Sequence, residues 1–390
     1  MSPSFDPEAQ LPGAPEPWAP STMPARRASP PYAMTEMIAA EPALAARVAD
    51  RAVHDPATAA LVEWIRDSAD GREPITTTGC GTSEHAAMAA AELVANAIGS
   101  RRGHLVRSRQ ALDVARDPQA GGLLLGFSHE GGTRTTNEAL ARSRQAGART
   151  ALVTVSGRSP GAASVELVLQ TREQDQSWCH TVGYLSPLVV AAALAAAIAG
   201  ELLDAVAVRA LLEVATDDEA ATEAAKSLSA CAQLVIAGAG IDYVSARELA
   251  LKVEEGSGLP ATALHTETLR HGHLAAATQE TGLVLILTDR EPEGEQVRER
   301  ALGALQSARI LGMPAVGILG ARVGPAVPLE LTPAGRLTAP EANLIRPASE
   351  AILGSAIPLQ LLAERLARAR GRNPDPIGRD DPRQAAAAHA

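Results

Sequence analysis

Aromatic residues make up only 2% of this 390-residue chain, so its cores have to be assembled from Ala, Leu, Val and Ile. That composition suits helices packed on parallel strands, which accept small and branched aliphatics without large rings. Cysteine is scarce too. Cys80, Cys179 and Cys231 stand far apart, with no CxxC pair among them, so neither a disulfide framework nor a zinc-ligand spacing is present. Lysine occurs twice, as Lys226 and Lys252. The 35 basic residues are outnumbered by 45 acidic ones, for a formal charge of −10. The basic stripe of a nucleic-acid binder is therefore missing, and no nucleic-acid partner is expected. No apolar run reaches the roughly 20 residues that a membrane span needs. The longest, residues 185–200, is Ala-rich, contains Pro187 and predicts a buried helix. With no signal-peptide pattern at the start of the chain and thiols expected to stay reduced, a cytoplasmic protein without a membrane partner is expected.

What is present is two-fold organisation. Residues 1–33 are rich in proline and poor in periodic apolar positions, which predicts a disordered tail. From Met34 onward, Met34, Met37, Ile38, Leu44 and Val48 recur at helical spacing. Residues 74–79 read as a strand that runs into Gly79-Cys80-Gly81-Thr82-Ser83 and then a helix over 84–98. Residues 234–238 read the same way, entering Gly238-Ala239-Gly240 and a helix over 244–255, with the glycine pairs 159 positions apart. A second correspondence sets strand 122–127, helix 137–145 and strand 150–155 against strand 282–288, helix 296–310 and strand 315–319. Two copies of one βαβ-rich unit account for both. The fold expected is α/β: two tandem lobes, each a flavodoxin-like parallel sheet with helices on both faces. The first would cover residues 34–210 and the second 211–372, with a C-terminal tail at 373–390. Ligands of such sheets bind outside the carboxyl ends of the strands, where both Gly-rich turns and the loop after Phe127 fall.

The 79–83 turn ends a strand and opens a helix, whose N-terminus offers free N–H groups and a positive dipole end. Gly81, Thr82 and Ser83 therefore suit an anion or a polyhydroxyl ligand. A dinucleotide is excluded, because the third glycine of GxGxxG is missing from both turns. In Ser128-His129-Glu130-Gly131-Gly132-Thr133-Arg134, the hydroxyls of Ser128 and Thr133 suit a phosphate. Glu248, Lys252 and Glu255 share one helix face, and a lysine is a marked choice in a chain that otherwise writes arginine. His265, His271 and His273 have no carboxylate or Cys at ligand spacing, so no metal is expected.

In that order these segments resemble the SIS (sugar isomerase) family, in particular the isomerase half of glutamine–fructose-6-phosphate aminotransferase and the aminosugar-phosphate deaminases. Residues 34–42 resemble the family's opening helix, 79–83 its sugar-binding turn and 128–133 its phosphate loop. Residues 246–255 with Leu269-Arg270-His271-Gly272 resemble its catalytic segment, and 358–363 its final helix. The resemblance implies that Glu255 moves the proton between C1 and C2 of an open-chain sugar, which a carboxylate of raised pKa can do. It implies that His271 assists ring opening from a neighbouring subunit of a homodimer, and that Lys252 steadies negative charge on the enediol oxygens. Gly81, Thr82, Ser83, Ser128, His129, Glu130, Thr133 and Arg134 would hold the sugar and its phosphate. Glu130 departs from the pattern, since it stands where the family has a serine and would repel a phosphate unless neutralised. Arg134 is the expected partner for Glu130 or for the phosphate itself. No glutaminase segment with an N-terminal cysteine nucleophile is seen.

The function expected is a phosphosugar isomerase or aminosugar-phosphate deaminase, working by enediol-type proton transfer without cofactor. The alternative is a sugar-phosphate sensor without turnover.

Overall fold

The computed structural model describes residues 5–215, 218–288 and 294–389. Helices α1 (Ala33–His54) and α2 (Pro56–Gly71) lead into the first lobe. There β1 (Ile75–Thr78), α3 (Thr82–Ile98), β2 (Val106–Ser108), α4 (Ala111–Arg116) and β3 (Leu123–Phe127) follow one another. The lobe continues with α5 (Arg134–Gln145), β4 (Arg149–Thr154), β5 (Leu167–Gln170) and α6 (Val182–Ile198). After α7 (Ala205–Val214) and α8 (Asp218–Leu228), the second lobe runs through β6 (Gln233–Gly238), α9 (Ile241–Ser257), β7 (Ala261–His265) and α10 (Thr266–Arg270). It closes with β8 (Thr281–Leu287), α11 (Gly294–Leu311), β9 (Ala315–Gly320), β10 (Gly335–Ala339) and α12 (Pro347–Ala369), and α13 (Pro382–His389) ends the chain.

The strand orders are β2-β1-β3-β4-β5 and β10-β9-β8-β6-β7. Every pairing is parallel. Counted within its own lobe, each sheet thus reads second-first-third-fourth-fifth, the flavodoxin-like order expected of two tandem α/β lobes. Strands β3, β8 and β9 are buried along their whole length, because helices cover both faces of a parallel sheet and leave no polar side.

The join between the lobes is helical. α6 is apolar all round and buried on every side, as a helix with no polar face must be, and it packs between α1 and α3. α12 packs on α9 and α8, and α3 meets α9 across the join. One continuous core, including Leu188 on α6, Leu249 on α9 and Leu362 on α12, runs through both lobes. The boundary expected at 210/211 falls inside α7, which packs against α1 and so stays with the first lobe. Thr216 and Asp217, at the connection, lie outside the described residues.

The termini depart further from expectation. Residues 5–32 have no regular helix or strand, yet they are laid on the first lobe rather than disordered. Leu11 is buried, its N–H donates to Glu173 Oε2 at 3.1 Å, and the Pro12 carbonyl accepts from the Gln174 N–H. At the other end, the buried Asp375 carboxylate accepts from the Ala33 and Met34 N–H groups at the start of α1, so the C-terminal segment caps that helix. Among the described residues no helix is long and apolar enough to cross a membrane.

Candidate functional site

Helix α9 carries a ladder of charge into the join between the lobes. The Lys252 side chain has no exposed surface, and its Nζ lies 2.5 Å from Glu255 Oε2 and 3.6 Å from Glu248 Oε1. Glu248 is equally buried and also accepts from Thr82 Oγ1 at 3.2 Å and meets His85 Nδ1 at 2.6 Å. The 79–83 turn of the first lobe is therefore wired directly to α9 of the second. Burial works against the charge on Lys252, but Glu255 and Glu248 outweigh it and raise its pKa. For Glu248, burial pushes the carboxyl up while Lys252 and His85 bring it below its ordinary value. Glu255 differs. Burial lifts its pKa, and Lys252 only partly offsets the rise. The Glu255 side chain keeps 22% of its surface and borders a cavity of about 630 Å³ with Arg26, Arg27, Tyr32, Arg372 and Asn373. Lys252 does not face that cavity as an open cation. Its ammonium is committed to the two carboxylates, and its geometry is that of a group that holds Glu255.

The turn itself is built by glycine. Gly81 caps α3 at φ 59°, ψ −132°, and Gly240 caps α9 at φ 55°, ψ −129°, a left-sided conformation that other residues avoid. A Cβ on Gly79 would stand 2.4 Å from the Ser83 carbonyl oxygen, and one on Gly238 would stand 2.5 Å from that of Asp242. Both lobes thus need the same Gly-x-Gly for the strand to fold tightly onto its helix.

Ser83, Ser128 and His129 line one cleft beneath β3. It has room for about 10 Å³, close to what a single water needs, and it shares no lining residue with the Glu255 cavity. Ser128 Oγ donates to Thr133 Oγ1 at 3.4 Å. The buried His129 accepts the Asp175 N–H on Nε2 at 2.9 Å and packs against the His180 ring at 5.2 Å. Burial pushes His129 down to about 3, helped by His180, and His180 down to about 4, helped by Lys252. Both rings stay neutral at physiological pH. His129 is thus a buried support of the loop.

The pairing of Glu130 with Arg134 that the sequence suggested is not formed. Arg134 pairs with Glu138 one turn along α5, at 2.9 Å and with its side chain 91% exposed; it does not pair with Glu130. Glu130 is held by the N-terminal segment: its Oε2 accepts the Ser21 N–H at 3.1 Å and its carbonyl accepts Trp18 Nε1–H at 3.0 Å. His271 also stands apart. It caps α10 with its side chain 75% exposed and bonds Glu267 at 2.9 Å. Among the described residues, no hydrogen bond, ion pair or shared cavity joins it to Glu255.

The family model described as "SIS domain" matches residues 227–298, which run from the end of α8 through β6, α9, β7, α10 and β8 into α11. The match with the SIS model is confined to the first part of the second lobe. A curated relative, the glutamine–fructose-6-phosphate aminotransferase (isomerizing) of Aeropyrum pernix, is 26% identical over 376 residues, covering 92% of this chain and 57% of that protein. The chain thus spans little more than half of that relative's length. Among solved structures, the C-terminal domain of glucosamine-fructose-6-phosphate aminotransferase from Francisella tularensis superposes with a TM-score of 0.75 at 20% identity, covering 90% of this chain and 99% of that one. Tagatose-6-phosphate ketose/aldose isomerase from Escherichia coli gives 0.71 at 19%, covering 92% and 98%. Glucosamine-6-phosphate deaminase from Thermotoga maritima gives 0.57 at 18%, covering 84% and 96%.

Within the matched residues, the second-lobe turn is filled by the chain itself. The buried Asp242, at the position of Ser83, accepts the Thr288 N–H at 2.7 Å and the Thr288 hydroxyl. The corresponding turn of the first lobe carries Ser83, with no carboxylate in that place. Sequence reasoning missed His85 and His180, which face the α9 ladder. Each is a single histidine with no spaced partner, and only the fold brings them to Glu248 and Lys252. A faint signal existed for His85, which lies two residues after the Gly-x-Gly-Thr-Ser turn and one helical turn from Gly81.

Proposed function

We propose that this chain is a phosphosugar aldose–ketose isomerase or an aminosugar-phosphate deaminase, acting on a hexose or hexosamine phosphate. The observation that carries the reading is the Glu248–Lys252–Glu255 ladder. A carboxylate of raised pKa lies at the edge of a cavity, held in place by a buried ammonium. Such a carboxylate can take the proton from C2 of an open-chain aldose and return it to C1, passing through an enediol. In the deaminase direction the same transfer converts the 2-amino aldose into a 2-imine, which water hydrolyses to the ketose with release of ammonia. Glu255 is the proton carrier in this reading, Lys252 its positioning residue, and the Gly81–Ser83 turn and the Ser128–Thr133 loop the ligand's supports. The similar proteins support it through the activities they are named for: an isomerising aminotransferase, a ketose/aldose isomerase and a deaminase. Because His271 is exposed and no contact joins it to Glu255 within one chain, its ring-opening role in this reading calls for a second copy, and the active form proposed is a homodimer.

Incubation with fructose 6-phosphate and with glucosamine 6-phosphate, following ammonia and the aldose/ketose ratio, tests the reading. Glu255→Gln is expected to abolish turnover by at least about 10³-fold while ligand-induced thermal stabilisation persists. Unchanged turnover in that variant rejects the assignment. A second reading, a sugar-phosphate sensor without chemistry, is favoured by one feature, the occupation of the Glu130 loop by the N-terminal segment. Stabilisation of the wild-type chain by either sugar with no product formed selects it.

A further inference from the structure

Residues 12–28 cross the first lobe from one side of the candidate site to the other. The crossing is pinned at both ends. On one side the Leu11 N–H sits on Glu173, and Arg47 clamps the same carboxylate while reaching the carbonyls of Glu8 and Ala9. On the other, Arg27 pairs with Glu36, and its carbonyl accepts from Asn373. Between the pins the segment contains Pro12, Pro15, Pro17, Pro20 and Pro24, and among the described residues its one backbone–backbone hydrogen bond is that of Pro12. Its middle is held by side chains. Trp18 and Ser21 both bond to Glu130, Trp178 Nε1 donates to Ser21 Oγ at 3.1 Å, and Glu16 pairs with Arg158. The loop is shaped to receive the segment: a Cβ on Gly132 would stand 2.9 Å from the Trp18 ring. Beyond Ser21 the same segment goes on to supply Arg26, Arg27 and Tyr32 to the wall of the Glu255 cavity.

We infer that residues 12–28 form a strap latched onto Glu130, and that the strap competes with an anionic sugar ligand for the 128–133 loop. The inference rests on the sugar-phosphate reading of the site. Closed, the strap lies against Glu130 and Gly132 and satisfies the loop's one carboxylate with a neutral N–H. An anionic ligand then enters only in the fraction of molecules whose strap is open, and its apparent affinity is lowered by that fraction. Glu130 would be the receptor of the latch, which accounts for a carboxylate in a loop that otherwise suits phosphate.

The test uses the full chain, its Trp18→Ala variant and its Trp18→Phe variant, which keeps a ring but loses the indole N–H. Binding of fructose 6-phosphate is measured by calorimetry, with inorganic phosphate as a second probe. Release of the strap is read as tryptic cleavage after Arg26 and Arg27, followed by mass spectrometry. Trp18→Ala is expected to bind fructose 6-phosphate at least about fivefold more tightly than the wild type, with Trp18→Phe between them. The sugar is expected to speed cleavage of the wild-type strap. Equal affinity in all three chains overturns the strap while leaving the sugar-phosphate site standing. Weaker binding in Trp18→Ala also overturns it, because the strap is then a wall of the site and not a competitor. If neither probe binds any of the chains, the sugar-phosphate reading fails and the inference with it.

Discussion

Lys252 shows what a single residue can be asked to do. An ammonium with no exposed surface costs several kcal/mol to bury, and only close carboxylates make it tolerable. Removing it leaves Glu248 and Glu255 facing each other without a cation. Lys252→Met is therefore expected to lose roughly 3–5 kcal/mol of stability, measured by denaturant unfolding. It should also move the acid limb of turnover. Burial already raises the Glu255 pKa, and Lys252 is the group that holds the rise in check. Without the lysine the carboxyl protonates at still higher pH, so the limb shifts upward. Lost stability with an unmoved limb would mean that the lysine only fills the join. The scarcity of lysine singled out this residue in the sequence, and the i, i+4, i+7 spacing placed its partners on one face. That its charge would be spent inside the ladder was not legible, because burial depends on α3 and α12 closing over α9. His85 and His180 were hidden for the same reason.

The elements divide sharply by how local their causes are. The two Gly-x-Gly turns were readable because their physics lies within five residues: a positive φ at one glycine and a close backbone approach at the other. Strands β3 and β8 were readable as continuous apolar runs. The N-terminal strap was not, since its proline-rich composition matches that of a disordered chain and its anchors on Glu130, Glu173, Trp178 and Asn373 lie more than 30 residues away. Its first anchor yields a prediction at this scale. The Glu173 side chain is fully buried and paired with Arg47 and Arg51 at 2.8 and 3.2 Å. Burial alone would raise its pKa, but the two arginines and the Leu11 N–H outweigh that and lower it. A depressed carboxyl stabilises the fold above its unfolded value of 4.5, and the stabilisation is lost as pH falls through the folded value. Glu173→Gln lacks that contribution at every pH. At pH 7 it is expected to be roughly 3 kcal/mol less stable than the wild type, and the gap should close as pH drops below 4.5 in unfolding curves taken along a pH series. A gap that stays constant to pH 3 would mean that the ion pairs contribute nothing beyond packing.

At the scale of the whole molecule, the two residues proposed for the reaction have no contact within one chain. Glu255 faces the cavity beside the strap and the C-terminal segment, while His271 projects from the far end of β7 and α10 into solvent. Within a lobe, strand order fixes which loops meet at a sheet edge, but the 79–83 turn of the first lobe reaches α9 of the second only because α3 packs on α9 across the join. Nothing in a strand order says which surfaces of two copies meet, so the place of His271 was open to resemblance alone. If an isologous dimer joins His271 of one protomer to Glu255 of the other, each site draws on both chains. His271→Ala and Glu255→Gln should then each be inactive alone. Unfolded together in equal amounts and refolded, half of the dimers would be mixed, and each mixed dimer would rebuild one intact site out of two. Activity is therefore expected to return to about a quarter of the wild-type level. A mixture as inactive as its parents, when subunit exchange is shown by tagged chains and both parents still bind fructose 6-phosphate, would place the two residues in unrelated surfaces and remove His271 from the reaction.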